Sequence, residues 1–462
     1  MEILSLITHA EGKTLEFKRD ISSLKPIMKT LVAFANTAGG VLIIGRDADG
    51  TLVGVKDVLQ AEERLANAIA DSIRPALMPE IEIVSLEGKA FLVARVPHWR
   101  GPFYLKSEGT ERGVYVRLGS TNRMAGPEIL AEMQRTLSGI SFDMTPCVDL
   151  IEHDLDMVKA RHIFKSAGLR LDKSKLESLG ILVPFAGKLV PSIGGIILFG
   201  NKKARSRICT DARVSCARFR GIDKSEFLDR LDIEGTVLDA LTEVPTFIRR
   251  NTRLAAKIKT MVRRDIPEYP ELAVREILVN AVAHADYSLS GMRIMVAVFD
   301  DRMEIQNPGM LPFGMTLDDM MAGVSKVRNR VIVRVLGVLG LVEEWGSGYK
   351  RVIEACRSGG YPEPEWQELG SALRVVFHPH PEAVKGTWLH EPVNEPVNEP
   401  VNERQQWFLA QLGHDKRFKV TDLSTHWRVS ESTAKRDIYD LKERGLIEFI
   451  GPPKTGYYRL KR

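Results

Sequence analysis

Cysteine is scarce: Cys147, Cys209, Cys216 and Cys356 are the only four among 462 residues, and no two form a Cys-x-x-Cys pair. That spacing is what a zinc site requires, and so few scattered thiols exclude a disulfide framework. They read as buried or incidental. No run of about 18 apolar residues exists, so nothing here spans a membrane as a helix. The opening "MEILSLITHAEGK" has an acidic second residue and no basic segment before its short apolar stretch. No secretory signal is therefore expected, and the protein is read as cytoplasmic. A phosphate loop of the form Gly-x-x-x-x-Gly-Lys-Ser/Thr is also missing, because "GKLVPS" and "GNKKAR" lack the paired glycines and the hydroxyl. A helicase or P-loop kinase motor is excluded.

What remains is a globular composition, 44% hydrophobic and 27% charged, in a chain too long for one ordinary core. Length suggests roughly three domains. The formal net charge of +5 is unevenly spread: residues 404–462 hold 13 Lys/Arg against 7 Asp/Glu, a net +6, which leaves −1 for everything before. Positive charge confined to one end is the footprint of a module that binds nucleic acid.

The patterning is that of an α+β multidomain chain. Residues 1–135 alternate a helix, "LKPIMKTLVAFAN", with strands "GVLIIG", "FLVARV" and "GVYVRLG". A connecting α/β region follows over 145–265, and a further α/β unit over 266–380 includes a hairpin, "RIMVAVFD" and "RMEIQNPG", in which Ile294, Val296 and Val298 alternate. Over 381–403 the chain passes into "EPVNEPVNEPVNE". A proline in every four-residue repeat can neither continue a helix nor donate fully to a sheet, so this segment reads as an extended spacer. Residues 404–462 then read as three helices and two strands around a Pro/Gly tip, the winged helix-turn-helix pattern.

The segment "REILVNAVAHADY" carries Glu276, Asn280 and His284 at four-residue intervals, so on a helix all three share one stripe between apolar neighbours. Downstream, "EWGSGYKRVIEAC" sets Gly346 and Gly348 directly before a helix, where backbone N–H groups and the helix dipole favour phosphate. His284 reads as a capping or packing residue. In this order the elements resemble the Bergerat-fold ATPases, the group of gyrase, heat-shock chaperone, MutL and histidine kinase, and especially their divergent branch in bacterial Schlafen-AlbA/RecG-like regulators. The resemblance covers about 110 residues through "YPELAVREILVNAVAHADY", "DRMEIQNPGMLP", "VRNRVIVRVLG" and "EEWGSGYKRV". It implies an α/β sandwich that binds ATP with Mg²⁺, in which Asn280 holds the metal and Glu276 orients or deprotonates water. It puts Asn307 and Gly309 at the adenine and Lys326, Arg328 and Asn329 in a lid over the phosphates. The usual Asp-x-Gly-x-Gly is here Asn307-Pro308-Gly309, with Leu311 at the second glycine.

At the other end, "EGKTLEFKRD", "FANTAGGVLIIGRDADG" and "GVYVRLGSTNRMA" are similar to the Schlafen AlbA-type domain over about 120 residues. The resemblance implies nucleic-acid binding. It also implies a cleavage site in which Glu11, Glu16 and Asp47 hold Mg²⁺ or Mn²⁺ beside Lys18, acting on structured RNA or tRNA. Arg117, Ser120 and Asn122 either bind phosphate or fix their loop. In the tail, Ala434, Ile438 and Leu441 mark a buried helix face, leaving Ser432, Thr433, Lys435 and Arg436 outward as candidate duplex-DNA contacts, with protein contacts as the alternative use. The whole chain resembles transcriptional regulators of the Schlafen-AlbA/Bergerat/winged-helix type. The expected function is an ATP-binding, DNA-binding regulator, a homo-oligomer by resemblance; the alternative is an ATP-gated, metal-dependent nuclease of a defence system.

Overall fold

A run of fourteen residues from Leu24 begins the first domain's packing, because its helical spacing puts Ile27, Met28, Leu31, Val32, Phe34 and Ala35 inside. This and the rest of the fold are seen in a computed structural model that describes residues 3–258, 263–342, 346–385, 402–412, 419–427, 429–443, 446–450 and 457–460. Residues 386–401 of the expected spacer, Gly445, the Pro/Gly tip at 451–456 and the "EEW" of 343–345 lie outside those residues. The chain forms two compact units, 1–389 and 390–462.

After a short helix at Ile3–Ile7, the larger unit runs through β1 (Leu15–Lys18), α1 (Leu24–Thr37), β2 (Gly40–Ile44), α2 (Val58–Ser72), β3 (Glu80–Leu86) and β4 (Lys89–Val96). The sheet order is β1-β2-β4-β3, parallel between β1 and β2 and antiparallel elsewhere. One face packs on α1 and α2, with Leu42, Ile44, Leu92 and Ala94 inside, and the other carries a smaller core around Phe17, Ile43 and Phe91. A hairpin, β5 (Tyr115–Leu118) and β6 (Thr121–Met124), and α3 (Pro127–Leu137) complete this part.

Beyond it lies a six-stranded mixed sheet. Its strands are β7 (Val214–Phe219), β8 (Phe227–Ile233), β9 (Ile294–Val298), β10 (Met303–Pro308), β11 (Glu365–Glu368) and β12 (Ala372–Phe377), in the order β8-β7-β9-β10-β12-β11. The anticipated hairpin is β9 and β10, and its alternating Ile294, Val296 and Val298 enter the core. That core lies between the sheet and helices that include α4 (Val237–Arg250), α5 (Glu271–His284), α6 (Arg330–Val338) and α7 (Gly348–Gly359). This sheet runs across the expected boundary at 265/266. Strand β7 pairs in parallel with β9, Val214 opposite Ile294 and Cys216 opposite Val296, so the connecting region and the following unit share one sheet and one core. No described helix is long and apolar enough to cross a membrane.

The smaller unit has helices α8 (Glu403–Leu412), α9 (Val420–Trp427) and α10 (Glu431–Glu443) and an antiparallel pair, β13 (Ile447–Ile450) with β14 (Tyr457–Leu460). Phe408, Leu412, Leu423, Ala434, Ile438, Leu441 and Ile447 form its core. A buried polar network ties two helices: Asp437 accepts from Arg404 Nε at 2.7 Å and from Asn402 Nδ2 at 3.2 Å, while Gln405 Nε2 donates to Asp440 at 2.7 Å. Asp437, Gln405 and Asp440 thus satisfy one another and their neighbours within this network, as burial demands.

Candidate nucleotide site and nucleic-acid surfaces

Helix α5 buries nearly all its apolar residues, from Ala273 to Ala283, which leaves Glu276, Asn280 and His284 on the one face that borders a cavity. Asn307, Lys326, Gly346 and Gly348 line the same cavity, together with Met310, Leu311, Met320, Trp366, Leu373 and Val375. Asn280 Nδ2 lies 3.4 Å from Glu276 Oε1, and Arg351 Nη2 pairs with that same oxygen at 3.0 Å. The amide oxygen of Asn280, beside the Glu276 carboxylate, is a hard donor that this face offers a divalent cation. Gly348, first residue of α7, sits so close that a Cβ there would come 2.7 Å from Glu276 Oε1 and 3.1 Å from Asn280 Nδ2. The two halves of the site, helix stripe and glycine turn, are thus in contact. Arg351 escaped the sequence reading, and the only signal for it was a basic residue one turn into a helix that follows Gly-x-Gly.

The remaining candidates are placed differently. Lys326 Nζ donates to the carbonyls of Phe313 and Gly314 at 2.9 and 2.8 Å. Arg328 pairs with Glu132 of α3 at 3.1 Å and donates to the carbonyl of His284 at 3.2 Å. Asn329 is buried, its Nδ2 donating to the carbonyls of Ala283 and Ala285 at 3.0 and 2.7 Å. Neither Arg328 nor Asn329 lines the cavity. Gly309, with φ +97°, is held open for Arg328, whose Nη1 would lie 2.2 Å from an added Cβ. In this arrangement its glycine makes room for a guanidinium and not for a base.

Burial, reinforced by the Arg328 charge, pushes the His284 imidazole down from 6.5 to about 4. It is neutral at physiological pH, in keeping with a packing role. The folded chain binds this proton more weakly than the unfolded chain does. Its contribution to stability is complete above about 6.5 and is lost as pH falls towards 4. Urea denaturation at several pH values is expected to show a shallower decline across that window in His284→Gln than in the wild type. Equal slopes would remove His284 as the cause.

Of the three candidate carboxylates of the first domain, Glu11 and Asp47 border one cleft beside Lys18, and Glu16 does not. Along β1 side chains alternate, so Glu16 faces away from Phe17. Glu16 is buried and ion-paired with both Lys18 and Arg117. Arg117, fully buried, also donates to the Gly12 carbonyl at 3.0 Å and to Asn122 Oδ1 at 2.9 Å, and Asn122 donates to Thr30 at 2.9 Å. Glu11 instead accepts the N–H of Phe17 at 3.0 Å, and Asp47 pairs with Arg19 and accepts the N–H of Ala48 at 2.9 Å. Glu11, Lys18 and Asp47 border a shallow cleft with Arg19 and Arg46, and Glu16 is not part of it. Among the described residues no group of three or more His, Cys, Asp or Glu is placed to hold a metal ion. The expected set of three, Glu11, Glu16 and Asp47, is thus not brought together in this arrangement. Arg117 and Asn122 are held by these bonds, and Ser120 is exposed.

On α10, Ser432, Lys435 and Arg436 are exposed and Thr433 is half-buried, while Ala434, Ile438 and Leu441 are inside. Ser430 Oγ accepts the N–H of Thr433 at 3.2 Å, closing the helix start. Lys435 meets Glu431 at 3.0 Å, an exposed pair that a phosphate would readily replace.

Within the larger unit, the fold is that of an AlbA-type α/β domain followed by an ATPase-like sandwich. Residues 11–126 match the family described as Schlafen, AlbA_2, and residues 291–377 match that described as "Putative ATP-dependent DNA helicase recG C-terminal". The chain belongs with the proteins that join a Schlafen AlbA_2 domain to a RecG-C-terminal-like ATPase domain. The second match begins after α5, so Glu276 and Asn280 lie outside it. Among solved structures, the N-terminal domain of a RecG-related protein from Nitrosomonas europaea is 31% identical, covering 26% of this chain and 92% of that one with a TM-score of 0.22. The DIP2311 protein from Corynebacterium diphtheriae is 18% identical, covering 99% and 98%, with a TM-score of 0.40. No curated protein matches.

Proposed function

We propose that the protein is an ATP-binding, DNA-binding transcriptional regulator, in which nucleotide at the α5 cavity alters how the chain engages nucleic acid. The observation that carries the nucleotide half is the meeting of Glu276, Asn280, Lys326, Gly346 and Gly348 on one cavity whose remaining wall is largely apolar. A few polar groups among Met310, Leu311, Met320, Leu373 and Trp366 suit a molecule with an anionic part and a flat apolar part. Asn280 would hold Mg²⁺ through its oxygen, Lys326 and the N-terminus of α7 would face phosphate charge, and Asn307 would meet the base. Bound Mg²⁺-ATP supplies a charge that hydrolysis would change. Glu276 would orient water, its carboxylate held by Arg351. Calorimetric titration of Mg²⁺-ATP into the full chain tests this half, and absence of binding overturns it.

The DNA half rests on the smaller unit. Its three helices and strand pair fit a winged helix-turn-helix, with α10 as the helix that enters the major groove. The local +6 charge and the exposed Lys435 and Arg436 support duplex DNA as the partner. A chain ending before Arg404 is expected to lose most of its duplex affinity. Replacing Lys435 and Arg436 by Glu should lower the slope of log affinity against log salt by about two contacts' worth. Undiminished binding by the truncated chain, measured by fluorescence anisotropy, would make the tail a protein-contact module.

A further inference from the structure

Residues 310–327 run along the nucleotide cavity, yet much of what holds them comes from the other end of the chain. Lys13, just before β1, reaches Glu368 at the end of β11: Nζ donates to Oε1 at 2.8 Å and to Oε2 at 3.0 Å. It also donates to the carbonyl of Met315 at 3.3 Å, and Glu368 Oε1 accepts the N–H of Leu311 at 3.3 Å. Leu311 and Met315 both line the cavity. Between them, Phe313 packs beside Val114, Val116, Ala125 and Met133 of the first domain, and the N–H of Gly314 donates to the carbonyl of Thr37 at 2.5 Å. Lys326, another lining residue, is bonded to the carbonyls of those same two residues, Phe313 and Gly314.

The Lys13–Glu368 pair is largely shielded, with side chains 17% and 20% exposed. Partial burial strengthens such a contact relative to a surface ion pair, provided both oxygens are engaged, as they are here. Loss of the ammonium would leave a partly buried carboxylate whose remaining bond is to Leu311, so the wall itself would shift to reach water.

We propose that Lys13 is a positioning residue for the nucleotide site: with Glu368, Thr37 and the seat of Phe313 it sets the 311–315 wall, and so couples nucleotide occupancy to the AlbA_2 domain. This rests on the nucleotide reading above. A coupling of this kind is reciprocal, since whatever changes the first domain's hold on the wall changes nucleotide affinity by the same factor, and the reverse. The polar end of the cavity, Glu276 and Asn280, is untouched by it.

The test compares wild type, Lys13→Ala and the conservative Lys13→Arg, all as full chains; Arg keeps the charge and the donors towards Glu368 and the Met315 carbonyl. Calorimetry with Mg²⁺-ATP is expected to show binding weakened about fivefold or more in Lys13→Ala and largely kept in Lys13→Arg. Amide hydrogen exchange is expected to quicken over 311–320 in Lys13→Ala with the strands β2 and β4 unchanged. Exchange that quickens over the wall and nowhere in those strands is what a general loss of stability would not produce. Unaltered ATP affinity in Lys13→Ala, where the wild type binds, overturns the proposal, as does unaltered exchange over 311–320. A wild type that binds no ATP sinks the nucleotide reading instead, and the exchange measurement then decides alone whether Lys13 sets the wall.

Discussion

Arg117→Ala is expected to destabilise the first domain by about 3–5 kcal/mol, because it strips the guanidinium from a buried pair and leaves Glu16 charged inside. Three further contacts go with it: the Gly12 carbonyl, the Leu15 carbonyl at 3.3 Å and Asn122. The guanidinium also lies 5.2 Å from the centre of the Phe34 ring, so packing on α1 is lost as well. Thermal and urea denaturation would read the loss directly. Replacing Glu16 and Arg117 together with apolar residues should cost much less than either single change, since no charge is then stranded. A nuclease role for Glu16 makes the opposite demand. Its carboxylate would have to be available to a cation, and Arg117→Ala would then leave the fold intact while exposing a ligand. A small stability change would therefore count against the structural role assigned to this pair.

What the sequence made legible was local. Glu276, Asn280 and His284 lie on one stripe because helical geometry alone sets that, and the β9–β10 hairpin follows from alternation and a turn. The outward face of α10 follows from its three buried positions in the same way. Partners far apart in the chain were not legible. Glu16 sits in a strand pattern that says only that it points opposite to Leu15 and Phe17; its neutralising Arg117 is about a hundred residues away. The extent of the sandwich was hidden for the same reason, since β7 joins β9 across some eighty residues through parallel pairing that leaves no turn signal between them. Gly309 illustrates a different limit. Its sequence context marked a position where something approaches the backbone, and the structure puts Arg328 there.

Asn280→Ala is expected to abolish Mg²⁺-ATP binding, and Gly348→Ala to weaken it severely, for reasons that can be separated. The first removes the side-chain oxygen that would hold the cation, so phosphate charge is left without the metal's neutralisation, with Lys326 as the remaining lining cation and the Glu276 carboxylate nearby. The second keeps that oxygen but places a methyl group 2.7 Å from Glu276 Oε1, which must then move away from Arg351 or push α7 back. Glu276→Ala, by contrast, should leave binding intact while stopping any hydrolysis, because it takes away the group that orients water and none that holds the metal. Calorimetry at saturating Mg²⁺ distinguishes the three, and repeating it without Mg²⁺ adds a control. There, wild type and Asn280→Ala should bind ATP equally weakly, whereas Gly348→Ala should bind more weakly than both. Unchanged Mg²⁺-ATP affinity in Asn280→Ala would remove the metal role, and with it the reason for reading the α5 stripe as a nucleotide site.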